Sequence, residues 1–294
     1  MRVSFEIVPP LTGIDIADLL SKVGLLMEFS PSAINVTSHR DEFEFVALPD
    51  GTFQRRVVRS RISPADVCAA VLGKYDVNMV PHLICGGNTA EDIDSLLESF
   101  KRLGISEVMA LRGDSVAGER RFSPTPGGYA HADGLVAAVR RSGGFKIGVG
   151  GYPEKHFEAA NLEDDIRNLR RKVDAGADYV ITQMFFDNSV FYRFVEKCRA
   201  AGITVPIIPG LKPLATLRHL DLLPEAFSID IPEALSSAVR EASGAPDPKE
   251  AVYRTGAEWC TLQIRDLAAH GVEAVHLYTM GTVRNISEIL SEVL

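Results

Sequence analysis

The chain has 294 residues, 46% hydrophobic and 24% charged, an ordinary globular composition with enough apolar residues for a large core. A formal charge of -8 and the lack of any Lys/Arg run argue against a phosphate-backbone partner, so nucleic acid is not expected to be a substrate. No apolar stretch approaches the roughly 20 residues of a membrane span, and the opening MRVSFEIVPP enters a strand-like pattern without a signal h-region, which predicts a cytoplasmic protein.

In chain order, the strand candidates are VSFEIVPP from Val3, SAINVTS from Ser32, VNMVPHLIC from Val77, EVMALRGD from Glu107, KIGVGGYPE from Lys146, ADYVITQMFF from Ala177, VPIIPGLKP from Val205 and AVHLYTMG from Ala274. Helical periodicity fills the gaps. AEDIDSLLESFKRLG is expected to start after an N-cap at Thr89 and to end on Gly104, LEDDIRNLRRKVDAGA forms another helix, and NSVFYRFVEKCRAAG follows Asp187. Near-continuous apolar strands alternating with amphipathic helices predict a parallel sheet covered by helices. Eight such units predict one closed (β/α)8 TIM barrel over 1–294. A doubly wound sheet is disfavoured because no G-x-G-x-x-G follows the first strand.

Two stretches exceed the simple repeat. About 39–62 reads as an excursion after the second strand, with a hairpin turning on Pro49-Asp50-Gly51, and about 214–271 holds two or three extra helices before the eighth strand. Cys68, Cys85, Cys198 and Cys260 are widely spaced, which predicts buried, reduced thiols rather than disulfides or a zinc site.

Barrel enzymes carry their chemistry at the C-terminal strand ends. Those ends hold Glu6; Asn35, Thr37 and His39; His82; Arg112, Gly113 and Asp114; Tyr152, Glu154 and His156; Gln183 before Phe185 and Phe186; Lys212; and Tyr278. Each has a structural alternative: Glu6 as a partner of Arg112 or His82, an internal Arg112–Asp114 ion pair, His82 and Gln183 as satisfied core groups. Serine-nucleophile and metal-hydrolase motifs are absent, and no metal is expected. On the helix after the fifth strand, Asp165, Asn168, Arg171 and Lys172 share one face. Such a face suits a diphosphate and a ribose hydroxyl, although a solvated charged face has the same pattern.

The ordered motifs SFEIVPP, VPHLICGG, ALRGD, GGYPEKH, RRKVDAGADYVITQMFFD and PIIPGLKPL resemble methylenetetrahydrofolate reductase of the bacterial type along nearly the full length. The resemblance implies a (β/α)8 barrel that uses FAD to pass hydride from NADH or NADPH to 5,10-methylenetetrahydrofolate, in one-carbon and methionine metabolism. It also implies a homo-oligomer and no counterpart of the eukaryotic S-adenosylmethionine-binding domain. By the same resemblance Glu6 is the acid that opens the folate ring, Asp114 tunes the flavin and helps to bind folate, and Gln183 and Tyr278 contact the folate. The flavin site it implies comprises Thr37, His82, Arg112, Gly113, Asp114, His131, Ala132, Tyr152, His156, Asp165, Asn168, Arg171 and Lys172.

Some positions depart from the family pattern. The family's Tyr-Ala pair falls on Tyr129-Ala130 or, in ungapped register, on His131-Ala132; Ser115 stands where a proline often follows LRGD. Thr282 replaces an arginine that meets the folate tail, with Arg284 as the nearby substitute, and Leu217 replaces a nicotinamide-stacking phenylalanine. Competing readings are hydride transfer without flavin, a Schiff-base aldolase using Lys212, and a non-catalytic folate or flavin carrier. NADH and NADPH are not distinguished by any motif.

Overall fold

The computed structural model describes residues 1–116, 119 and 121–293. The strands are β1 (Arg2–Ile7), β2 (Ala33–Val36), β3 (Glu42–Ala47), β4 (Phe53–Arg59), β5 (Met79–Ile84), β6 (Glu107–Leu111), β7 (Lys146–Gly151), β8 (Tyr179–Met184), β9 (Ile207–Leu211) and β10 (Ala274–Tyr278). The helices are α1 (Ala17–Met27), α2 (Pro64–Leu72), α3 (Ala90–Arg102), α4 (Ala132–Ser142), α5 (Leu162–Asp174), α6 (Asn188–Ala200), α7 (His219–Phe227), α8 (Glu233–Ala242), α9 (Pro248–Ala269) and α10 (Arg284–Val293). Eight strands close in the order β1-β10-β9-β8-β7-β6-β5-β2, every neighbour pair parallel. This is the TIM-barrel arrangement expected from the sequence.

The alternation within each strand divides its residues between two environments. In β1, Val3, Phe5 and Ile7 are buried in the large hydrophobic cluster that includes residues of the surrounding helices, together with Val23, Leu26 and Ile289. Ala33, Val80, Met109, Tyr179 and Ile181 form a second, smaller cluster. Ser4 and Glu6 alternate with the first set and stand in register with His276 and Tyr278 of β10.

Capping side chains fix several helix starts above the strands. Thr89 and Asp92 form a reciprocal capping box on α3, Asn161 caps α5 through Asp164 N at 2.8 Å, and Asp187 caps α6 through Ser189 N at 2.8 Å. Each satisfies a backbone donor that the helix itself leaves free.

The excursion is a free-standing antiparallel hairpin, β3–β4, turning at Pro49-Asp50-Gly51 with Asp50 Oδ1 accepting from Thr52 N at 2.9 Å. Its base is tied to the loop after β1: Thr12 N donates to Ser60 O at 3.0 Å and Ile62 N to Pro10 O at 3.0 Å. The stretch before the last strand contains three helices, α7 to α9. Leu223, Leu235, Val239 and Val252 from them pack with Met184 and Phe186 as a satellite cluster.

Cys68, Cys85, Cys198 and Cys260 are free and buried, and no group of three potential metal ligands occurs among the described residues. No helix among the described residues is long and apolar enough to cross a membrane.

Candidate active site

A cavity of about 610 Å³ opens at the C-terminal ends of the strands, a volume that suits a small-molecule site. All sixteen residues assigned to the site from the sequence line it: Glu6, Thr37, His82, Arg112, Gly113, Asp114, His131, Ala132, Tyr152, His156, Asp165, Asn168, Arg171, Lys172, Gln183 and Tyr278.

Glu6 lies at the end of β1, its side chain 16% exposed, and burial pushes its carboxyl up to about 8. Among the described residues it pairs with no arginine; His82 Nε2 lies 3.9 Å from Glu6 Oε2. His82 is itself held neutral, lowered to about 3 by burial and then by His276 and His39. Glu6 is therefore a protonated acid at neutral pH, facing a neutral imidazole rather than an ion-pair partner.

Below this pair, His276 Nδ1 and Ser4 Oγ are 2.9 Å apart, and burial lowers His276 to about 3. Tyr278 meets the His276 ring edge-on at 5.0 Å and donates to Thr182 O at 2.7 Å. Gly210 makes room for it: a Cβ there would lie 2.6 Å from the Tyr278 ring and 2.2 Å from Thr182 O.

On β6, the charges that close EVMALRGD separate. Arg112 pairs with Glu158, not with Asp114, and its guanidinium lies 4.7 Å over the Phe122 ring. The expected alternative of an Arg112–Asp114 ion pair is thus replaced by a bridge between the loops after β6 and β7. Glu158 also accepts from Phe122 N at 3.0 Å, so one carboxylate fixes both chain segments. Gly113 between the charges has φ +82°, a conformation that favours glycine.

The α5 face turns toward the cavity. Asp165 accepts from His156 N at 2.9 Å, Lys172 donates to Gly150 O, and Arg171 donates to Asn168 Oδ1 at 3.3 Å. Burial lowers Lys172 to about 8, opposed by Asp165 and Asp133. Burial also raises Asp165, and it lowers His156 to about 4 with help from Arg112. Neither Arg171 nor Lys172 enters a salt bridge among the described residues; both line the cavity, where Asp165 and Asp133 act on Lys172 at longer range.

Elsewhere on the wall, Thr37 Oγ1 and His39 Nε2 are 2.8 Å apart, and Gln183 Oε1 accepts from Met184 N at 2.9 Å. His131 and Ala132, at the start of α4, line the cavity, whereas Tyr129 packs against the hydrophobic core. Other sequence candidates fall outside the lining. Arg284, expected near a folate tail, is held by Glu250 and Glu288 at 3.0 Å each. Leu217 is exposed, Glu154 accepts from Asp230 N at 3.1 Å, and Lys212 is buried. The lining also includes Asn35 and His39 from the strand-end candidates, and adds Glu158, Phe227 and His276, which the sequence did not single out.

The profile of the family described as methylenetetrahydrofolate reductase matches residues 1–293. Methylenetetrahydrofolate reductase (NADH) 1 of Arabidopsis thaliana is 33% identical over 98% of this chain and 47% of its own length. The 5,10-methylenetetrahydrofolate reductase of Escherichia coli K12 is 30% identical over 95% of this chain and 86% of its own length. The chain thus spans about half the length of the plant relatives it matches and most of the bacterial one. Among solved structures, an uncharacterized Clostridium thermocellum protein that binds two copies of 5-methyl-5,6,7,8-tetrahydrofolic acid shares the fold, with TM-score 0.60 and 13% identity over 99% of this chain and 96% of that one. An F420-dependent secondary alcohol dehydrogenase shares it at TM-score 0.55 and 12% identity over 100% and 99%. By the profile match over essentially every residue, this chain belongs to the methylenetetrahydrofolate reductase family.

Proposed function

We infer that the chain reduces 5,10-methylenetetrahydrofolate to 5-methyltetrahydrofolate with hydride from NADH or NADPH passed through FAD, the two substrates taking turns in one cavity. We assign it to the cytoplasm, in one-carbon and methionine metabolism, and as a homo-oligomer. The observation that carries the reading is Glu6: a largely buried carboxyl raised to about 8, in no ion pair with Lys or Arg among the described residues, at the C-terminal end of the barrel. A carboxylic acid that keeps its proton at neutral pH is what folate ring opening needs.

The residues lining the cavity fit FAD. Arg171 and Lys172 stand on the cavity wall without a salt bridge among the described residues, matched to a diphosphate, and Asp165 and Asn168 on the same face match hydroxyl and amide donors. When bound, FAD supplies the two-electron carrier between nicotinamide and folate.

The protein's own part is positioning and proton transfer. Glu6 gives its proton to the folate nitrogen that leaves the bridging carbon; its O–H bond breaks, the N–H bond forms, and the C–N bond of the five-membered ring opens. The bridging carbon becomes the electrophilic end of an iminium, able to accept hydride. Gln183, Asp114 and Tyr278 orient the pterin, and neutral His82 and His276 keep the floor free of charge that would draw the proton away. Lys212 lies away from the cavity lining, which disfavours an aldolase.

The visible spectrum of the purified protein, with identification of any released chromophore, tests this reading. Bound FAD that bleaches with NADH or NADPH and recovers with methylenetetrahydrofolate is the expected result. A colourless protein that takes up no FAD yet reduces the folate refutes the flavin and leaves direct hydride transfer. A protein that binds both ligands without consuming nicotinamide is a carrier, and refutes catalysis.

A further inference from the structure

Glu6, Asn35 and His82 come from β1, β2 and β5, three strands adjacent in the barrel wall, and Glu6 and Asn35 are direct register partners. All three line the cavity, and among the described residues none makes a side-chain hydrogen bond to protein. Asn35 is the most enclosed of the three at 1% exposure, and its amide oxygen is buried without a partner. Leaving such an atom unsatisfied costs about 1–3 kcal/mol, and native interiors seldom tolerate it outside a binding or catalytic site. A half-turn about the Cβ–Cγ bond exchanges the amide's donor and acceptor, so it can meet either kind of ligand atom. The 3.9 Å gap between Glu6 and His82 is too long for a hydrogen bond, so these groups do not satisfy one another.

We propose that Asn35 is a further substrate-contacting residue: its amide hydrogen-bonds the reduced pterin beside Glu6, and so aligns the leaving nitrogen of the five-membered ring with the proton donor. The proposal rests on the folate reading given above. Asn35 transfers no proton itself. Its contribution is to satisfy its own amide only when the ring is seated, which makes correct seating the lower-energy arrangement. A reduced pterin offers N–H donors and a carbonyl acceptor along its amino-pyrimidinone edge and N8, either of which an amide can bind.

The test compares wild type with Asn35→Leu, near-isosteric and apolar, and Asn35→Asp, which keeps an acceptor oxygen. The dissociation constant of 5-methyltetrahydrofolate is measured by calorimetry, and the two half-reactions are followed separately. Asn35→Leu is expected to bind the folate roughly tenfold more weakly, with the folate half-reaction losing more than reduction by NADH. Asn35→Asp is expected to keep binding, and to move the falling alkaline limb of the folate half-reaction to higher pH, because a second carboxylate beside Glu6 makes its proton harder to lose. An unchanged dissociation constant in Asn35→Leu means that an ordered water alone satisfies the amide, and overturns the proposal. Equal loss in both half-reactions means a structural role, and also overturns it. If Asn35→Leu does not fold, an unmoved alkaline limb in Asn35→Asp is decisive against it. Absence of flavin would refute the proposed cofactor but leave the 5-methyltetrahydrofolate comparison readable.

Discussion

Replacing Glu6 by Gln removes one proton while keeping the shape of the side chain. The wild-type carboxyl, ordinarily near 4.5, is raised to about 8, so the folded protein holds a proton there that the unfolded chain releases. Between those two values the folded state binds more protons than the unfolded state, and stability falls as pH rises, by at most about 1.4 kcal/mol per unit. The contribution is fully present below 4.5 and lost by the time pH passes about 8. Glu6→Gln has no such titration. Its melting temperature should therefore gain on wild type steadily from mildly acid to mildly alkaline pH, read by circular dichroism across that window. In stopped-flow assays the variant should reduce its flavin with NADH at nearly the wild-type rate, while folate reduction drops roughly 10²- to 10⁴-fold. Wild-type folate reduction should itself decline as pH rises through about 8. A stability difference that stays flat with pH would show Glu6 to be solvated, and equal loss in both half-reactions would refute its role as proton donor.

Three further predictions bear on separate parts of the barrel. Lys172 is lowered to about 8 by burial, so FAD affinity should weaken as pH rises past that value; Lys172→Met should bind FAD less tightly with a flatter pH dependence, and a fluorescence titration unaffected by the substitution would remove Lys172 from the site. Gly210→Ala places a Cβ 2.2 Å from Thr182 O, which is backbone and cannot swing aside, and against the Tyr278 ring. It should cost at least about 1–3 kcal/mol in denaturant unfolding and weaken folate binding, and wild-type stability with wild-type affinity would contradict the packing described. Replacing 42–59 by a two-residue turn should leave the barrel folded with a melting temperature within roughly 4 °C of wild type, because β3 and β4 pair only with each other; an unfolded product would show that the hairpin supports the barrel.

The parts legible in the sequence are those that depend on local pattern. Eight apolar runs named the eight barrel strands because a strand covered on both sides shows little alternation. Pro49-Asp50-Gly51 located the hairpin turn, and the three-residue spacing from Asp165 to Arg171 placed that face on one side of α5. Residues whose roles depend on remote partners were harder to read. Glu158 lies 46 positions from Arg112 and reads as an ordinary surface charge until the two loops meet. His276 sits within an apolar strand, where the sequence does not reveal its contact with Ser4 on the opposite end of the chain. Phe227 reaches the cavity mouth through the packing of α7, whose placement follows from the satellite cluster rather than from its own periodicity. Arg284 shows the opposite failure: proximity in sequence suggested a folate contact, but two carboxylates hold it elsewhere.

The pairing of β1 with β10 has a bearing on how the protein is made. The strand that carries Glu6 is made long before β10, so one of its two edges waits for a partner 272 residues downstream, as the Ser4–His276 contact records. Throughout synthesis that edge stays open, with the hydrogen-bonding groups of a template for pairing and no mate in the nascent chain. Glu6 stands beside β10 in register with Tyr278, so the proton-donor role proposed for it requires the barrel to have closed.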